Sequence, residues 1–206
     1  SYEMTLRIID NYYRDFLTGN IQDSLPLAKF AMKIVEKADK ELYKHLDENC
    51  IDETMILPWI MTWFSQNKSS LTVIWRVFDF IIKNNLVMPY YIAAQKILTN
   101  RSNLMTAEWI HTAMKMISSA PETKRILTES KKLFKKIPPS KVLELMKNDG
   151  IVIDTKSRLA TNIEKVKLAE PKKGCCKNKY ILIVFLFGIS MLVLLLMLVD
   201  EIFNIY

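Results

Sequence analysis

Apolar residues return every three or four positions between Leu27 and Leu46: Leu27, Phe30, Ala31, Ile34, Val35, Ala38, Leu42 and Leu46. That period predicts one amphipathic helix over residues 24–46, with a single face turned to a core. Ser24 suits its N-cap and Pro26 its first turn. Glu36 with Lys40, and Lys37 with Glu41, support the wet face at helical spacing. Residues 54–65 are apolar nearly all round and include Pro58, Trp59, Trp63 and Phe64, which predicts a buried helix that Pro58 starts or kinks. A polar loop over 66–70 leads into another apolar helix over 71–83. There Trp75, Phe78, Ile81 and Ile82 want burial, and Arg76 and Asp79, three apart, could bridge along one face or each reach a neighbouring helix. Asn84 and Asn85 end it, because Asn tolerates left-handed backbone. Pro89 opens a helix over 90–98. Asn103 or Thr106 then caps one over 107–117, in which Ala107, Ile110, Met114 and Ile117 keep the period. A basic helix follows over 121–134, Pro138 and Pro139 break the chain, and a short helix over 140–147 stops at Asn148, Asp149 and Gly150. The expectation is an all-α domain over residues 1–150, without strands and without an internal repeat.

Beyond Gly150 the period fades. Residues 151–179 alternate charge with small apolar residues and read as a polar, basic tether that as a coil would reach on the order of 30 Å. From Ile181 to Val199 the chain is apolar for 19 residues, interrupted only by Gly188 and Ser190. As a helix that run is about 29 Å long, the thickness of a bilayer's hydrocarbon core. Lys172, Lys173, Lys177 and Lys179 precede it, and Asp200 and Glu201 follow, so the positive-inside bias keeps the upstream side cytosolic. Tyr180, Phe203 and Tyr206 fall near the two interfaces. We expect a single transmembrane tail anchor over 180–200, a short lumenal tail over 201–206 and the bulk of the chain facing the cytosol. Residues 1–10 hold no apolar core of a secretory signal.

The net charge of +7 is uneven. Lys124, Arg125, Lys131, Lys132, Lys135 and Lys136 crowd one segment against a single acid, Glu129. On an anchored protein that reads as a solvated or lipid-facing surface, and no nucleic-acid recognition motif accompanies it. Three cysteines, Cys50, Cys175 and Cys176, argue against disulfides and a thiolate metal site. Cys175 and Cys176 abut the expected membrane, where reversible palmitoylation is an alternative to two free thiols. Four glycines leave little room for a phosphate loop. His45 and His111 lie far apart and lack a second histidine at helical spacing, so neither a metal site nor a Ser–His dyad has support. No catalytic, cofactor or metal residue is expected.

The stretch from Leu57 through Phe64, with Val73 to Phe80 and Met88 to Ala94, resembles the C-terminal half of TBC domains, the all-helical activators of Rab GTPases. In that family a tryptophan-bearing helix ends in an aromatic pair, matched here by Trp59 and by Trp63 with Phe64. An Arg-x-aromatic-Asp unit follows, matched by Arg76, Phe78 and Asp79, and then a hydrophobic helix with small residues, matched from Tyr90 to Ala94. The likeness covers residues 12–144. Tyr13-Arg14-Asp15-Phe16 and Ile137-Pro138-Pro139-Ser140 are similar to a small branch of the family that carries a C-terminal membrane helix and resides in the endoplasmic reticulum. The resemblance implies a Rab GTPase as partner and the endoplasmic reticulum membrane as location. Read from the residues alone, Trp59, Trp63, Trp75 and Phe78 are structural, and Arg76 with Asp79 form a partly buried pair that fixes helix register.

The family's two catalytic side chains, an arginine finger and a water-positioning glutamine, belong to Ile-x-x-Asp-x-x-Arg and Tyr-x-Gln motifs, and neither occurs here. Ile8 to Arg14 imitates the first only loosely, with Ile8 two residues before Asp10 and Arg14 four after it. With Ser rather than Met at its start, the chain is expected to be a portion of such an activator. The alternatives are a complete, non-catalytic membrane scaffold that binds a GTPase or trafficking partner, and an unrelated tail-anchored helical module. Half a domain would expose apolar faces that the missing helices cover.

Overall fold

The computed structural model describes residues 2–17, 21–66, 70–117, 123–154 and 157–166. Residues 11–169 form one compact unit, and the described part of a second unit includes α1, Tyr2–Ile8. A π-helical turn, Ile9–Tyr13, leads into the main unit, where a 3-10 turn, Arg14–Phe16, and a second 3-10 turn, Ile21–Ser24, follow. The helices that follow are α2 (Leu25–Ala38), α3 (Lys40–Glu48), α4 (Leu57–Met61), α5 (Leu71–Asn84) and α6 (Met88–Thr99). After them come α7 (Arg101–Thr106), α8 (Ile110–Ile117), α9 (Thr123–Lys136), α10 (Pro139–Asn148) and α11 (Arg158–Val166). No strand occurs among the described residues.

The core is built on α6, which packs between α2 and α9. Its sequence is apolar on every side, and nine of its residues, from Met88 to Ala94 with Lys96 and Ile97, are buried, as a central helix requires. Phe30 of α2 meets Tyr90 and Tyr91 edge-on at 5.5 and 6.4 Å between ring centroids, and Tyr91 meets Phe134 of α9 at 5.1 Å. The Tyr91 hydroxyl donates to the Ile137 carbonyl at 2.7 Å, which ties α6 to the junction of α9 and α10. Such edge-on pairs add about 0.5–1.5 kcal/mol each beyond the area they bury. α10 lies on α2. There Lys33 is held by Asp149, by Glu36 at 2.6 Å and by the face of Tyr43 at 5.5 Å. Burial pulls the Lys33 ammonium toward neutrality, but the two carboxylates outweigh it and raise its pKa.

Several expected boundaries move. The helix expected over 24–46 is two helices: Asp39 is extended, at φ −149° and ψ 93°, and its carboxylate accepts the Leu42 N–H at 2.9 Å as the cap of α3. The hydrophobic period runs straight across this break because a capped kink keeps both stripes on the core. Ser24 is buried but makes no side-chain cap. The helix expected over 107–117 starts at Ile110, while Asn103 and Thr106 lie inside α7 and cap nothing. Of the segment read as tether, residues 158–166 form α11. Asp15 accepts the Arg158 and Leu159 N–H groups at 2.8 and 2.9 Å, which satisfies the start of that helix, and Asn162 donates to the Asn11 carbonyl at 3.1 Å. Leu159 and Ile163 are buried, so the domain extends past Gly150.

Candidate functional site

Trp63 stands at the centre of an aromatic cluster, and the way α4 ends puts it there. Pro58 suits the first turn of α4, because its missing N–H would have no partner at that position. Four residues on, the Thr62 hydroxyl donates to the Pro58 carbonyl at 2.8 Å. Trp63 and Phe64 then both take left-handed backbone, at φ 50° and 65°, and the Phe64 N–H returns to the Trp59 carbonyl at 2.8 Å. This is a helix-terminating closure that usually relies on glycine. For side chains with a Cβ it costs roughly 1–2 kcal/mol per residue. Burial of the two rings offsets that cost: Trp63 is 1% exposed and Phe64 is buried beside it. The helix expected over 54–65 is therefore a 3-10 turn, Glu53–Met55, then α4, then this turn.

Around Trp63, Tyr12 approaches edge-on at 4.4 Å, Phe78 of α5 lies at 4.8 Å and Tyr13 stacks at 5.9 Å. The Tyr12 hydroxyl and the Trp63 indole N–H are buried with no hydrogen-bond partner among the described residues. Burial, with Tyr90 and Tyr13 nearby, pushes the Tyr12 phenol well above its ordinary pKa. On the other side, α6 sends Lys96 toward α4. Its ammonium lies 5.6 Å from the Trp59 ring centroid and 5.4 Å from that of Phe64. The residue is 6% exposed, and burial lowers its pKa to about 8. Two ring faces partly replace the lost water by cation–π attraction.

Of the family-motif residues, Trp63 centres the ring cluster with Tyr12, Tyr13 and Phe78, while Trp59 and Phe64 meet at Lys96. Arg76 and Asp79 do not join them and do not form the expected pair. Arg76 is exposed, and Asp79 takes Lys83 one turn further along α5, where both side chains are about half exposed. An exposed i,i+4 pair competes well with i,i+3 when the cation lies C-terminal. Trp75, expected to be buried, is half-buried. His45 sits 3.2 Å from the Leu104 carbonyl, and His111 is exposed on α8. Among the described residues no cluster of His, Cys, Asp or Glu could hold a metal, and no helix is long and apolar enough to cross a membrane. Cys175, Cys176 and the apolar run of 181–199 lie outside the described residues. Lys96 was missed in the sequence; its signal is a lone charge inside an otherwise apolar helix. The cluster fixes the shape of a helical surface and pairs no acid, base or nucleophile for bond-making among the described residues.

Residues 1–105 match the Rab-GTPase-TBC domain. Over 106 residues, 52% of this chain and 28% of the relative, the chain is 26% identical to the GTPase-activating protein gyp10 of Schizosaccharomyces pombe. Over 140 residues, 66% of this chain and 35% of the relative, it is 21% identical to TBC1 domain family member 20 of Homo sapiens and of Bos taurus. The chain spans about a third of the length of these curated relatives.

Proposed function

Since the chain belongs to the Rab-GTPase-TBC domain family, we propose that it serves a GTPase activator for Rab-family GTPases in membrane trafficking, held in the endoplasmic reticulum membrane by a helix over 181–199. The observation that carries the GTPase reading is the family match over a stretch that includes Trp59, Trp63, Phe64 and Lys96. Support for the membrane reading is the 19-residue apolar run with lysines before it and acids after it. On this reading the chain contributes a Rab-facing helical surface, and the two catalytic fingers come from elsewhere in a longer protein. An arginine supplied in trans accelerates hydrolysis on the order of 10³–10⁵-fold.

The absence of both finger motifs from these 206 residues favours a second reading, a membrane-anchored scaffold that binds a GTPase without activating it. One experiment addresses both: the full chain in phosphatidylcholine vesicles is incubated with a panel of GTP-loaded Rab proteins, and binding and hydrolysis are followed together. The expected outcome is binding of one or a few Rabs with hydrolysis at the intrinsic rate. A relative carrying both fingers that then accelerates those same Rabs assigns the surface to an activator; no acceleration leaves the scaffold. A chain that binds no Rab overturns both readings. Large acceleration by this chain alone overturns the assignment of the fingers to a part beyond it.

A further inference from the structure

We propose that the basic face of α9 docks the domain onto an anionic membrane surface. The proposal deepens the membrane reading above, and it rests on that reading for bringing a bilayer within reach.

Lys124, Arg125, Lys131, Lys132, Lys135 and Lys136 are all exposed on α9. At 100° per residue they and Thr128 fall within an arc of about 140°, some 18 Å long at 1.5 Å per residue. The opposite side of the helix carries Ile126, Leu127, Ser130 and Leu133, all buried. α9 is thus fixed against the core through its apolar side, and its charged side points outward as a row. Glu129 takes Lys132 at 2.7 Å. Among the described residues no carboxylate pairs with Lys124, Lys131, Lys135 or Lys136. A solvated helix usually intersperses both signs along its face; this one accumulates a single sign, which draws a polyanionic plane.

The plane is a bilayer rather than another polyanion because the same chain carries the apolar run of 181–199 and the lysines at 172, 173, 177 and 179. Residues 167–180, between α11 and that run, span at most about 50 Å at full stretch. The exposed side of α9 offers no large apolar side chain to insert, so the contact is electrostatic, shallow and salt-sensitive.

The test uses the full chain with Cys50→Ser, Cys175→Ser and Cys176→Ser. A fluorophore is placed at Thr128→Cys, in the middle of the face, or at Lys44→Cys, exposed on α3. Each protein is reconstituted in phosphatidylcholine vesicles bearing a headgroup quencher, with and without phosphatidylserine. The label on α9 should be quenched only with phosphatidylserine, and the label on α3 in neither membrane. Quenching should vanish in 1 M NaCl, where the Debye length falls to about 3 Å. It should also vanish with K131E/K132E/K135E, since each cation near such a surface contributes roughly fivefold to binding. Quenching indifferent to phosphatidylserine, equal at both labels, or abolished by a stoichiometric amount of RNA overturns the proposal. Alkaline carbonate extraction of the same vesicles reports the anchor separately. A chain that stays inserted while α9 remains unquenched refutes the docking face and leaves the anchor standing. A chain that is extracted but docks through α9 refutes the anchor alone.

Discussion

Cys50 does at the end of α3 what Gly150 does at the end of α10. Each takes left-handed backbone, at φ 56° and 73°, and in each case the next N–H returns five residues, Ile51 to Leu46 and Ile151 to Met146, both at 2.9 Å. Glycine adopts that conformation without a steric penalty, and cysteine does not. The Cys50 side chain is exposed and leaves no packing behind when removed. Cys50→Gly should therefore raise stability by about 0.5–1 kcal/mol after the added freedom of the unfolded chain is subtracted, read as a higher unfolding midpoint of the full chain in detergent micelles. Lys96 gives a pH signature. Its folded pKa, about 8, lies below the ordinary lysine value, so above pH 8 the unfolded chain holds a proton that the folded chain has released. Its burial penalty is fully present below pH 8 and fades as pH rises toward 10. Over that window stability should climb, by on the order of 3 kcal/mol if the whole shift is realised. Lys96→Met should flatten the climb. Denaturant midpoints measured at pH 7 and at pH 9.5 check both statements.

At the scale of elements, Asp39 decides where α2 ends and α3 begins. Its carboxylate caps Leu42 and takes the Arg101 guanidinium at 2.7 Å, while Arg101 also reaches Glu41. The Leu42 N–H first, and Arg101 second, hold the Asp39 carboxyl below its usual range. Its stabilisation is thus present at neutral pH and lost as acid titrates it through that lowered pKa. Asp39→Ala should cost about 1–2 kcal/mol at pH 7, and the cost should shrink as acid carries the solution through the lowered folded pKa, a trend visible in thermal melts taken at successively lower pH. The same residue shows how the sequence could be read and where it could not. Stripes such as Leu27 to Leu46 and prolines such as Pro58 and Pro89 announce the helices and most of their starts, because burial and a missing N–H are local properties; Pro139, read as a break, is itself the first residue of α10. The break at Asp39 combines a local cap on Leu42 with an arginine 62 residues away, and the second partner is invisible to any local pattern. The double left-handed turn at Trp63 and Phe64 contradicts their propensities and holds only because both rings are buried. α11 has a local cap, since the Ser157 hydroxyl accepts the Ala160 N–H at 3.0 Å, but its first two N–H groups go to Asp15 far along the chain, and the faded period over 151–179 gave no reason to expect a docked helix. In the candidate site the aromatic pair was legible from its motif. The partner of Asp79 was not, since Arg76 and Lys83 both lie at helical spacing from it.

At the largest scale, the main unit is tied together near its two ends. Asp15, just inside the N-terminal side of the main unit, caps a helix 143 residues downstream, and Asn162 repeats the tie to Asn11. Removing the cap should free α11 without touching the core helices. In Asp15→Ala, hydrogen exchange across residues 158–163 should quicken at least tenfold, as expected for losing a two-bond cap worth more than about 1.4 kcal/mol, while α2 and α6 keep their protection. Exchange that quickens equally everywhere would instead mean that α11 is an inseparable part of the core. The distance between those partners along the chain also sets a clock. At a synthesis rate of about 5–20 residues per second, Asp15 is added to the chain roughly 7–29 s before the backbone it caps has been made. During that interval α2 to α6 can assemble while the flank of Tyr12 and Asp15 stays open. α11, the last helix among the described residues, can close that flank only once residues 158–163 have been made.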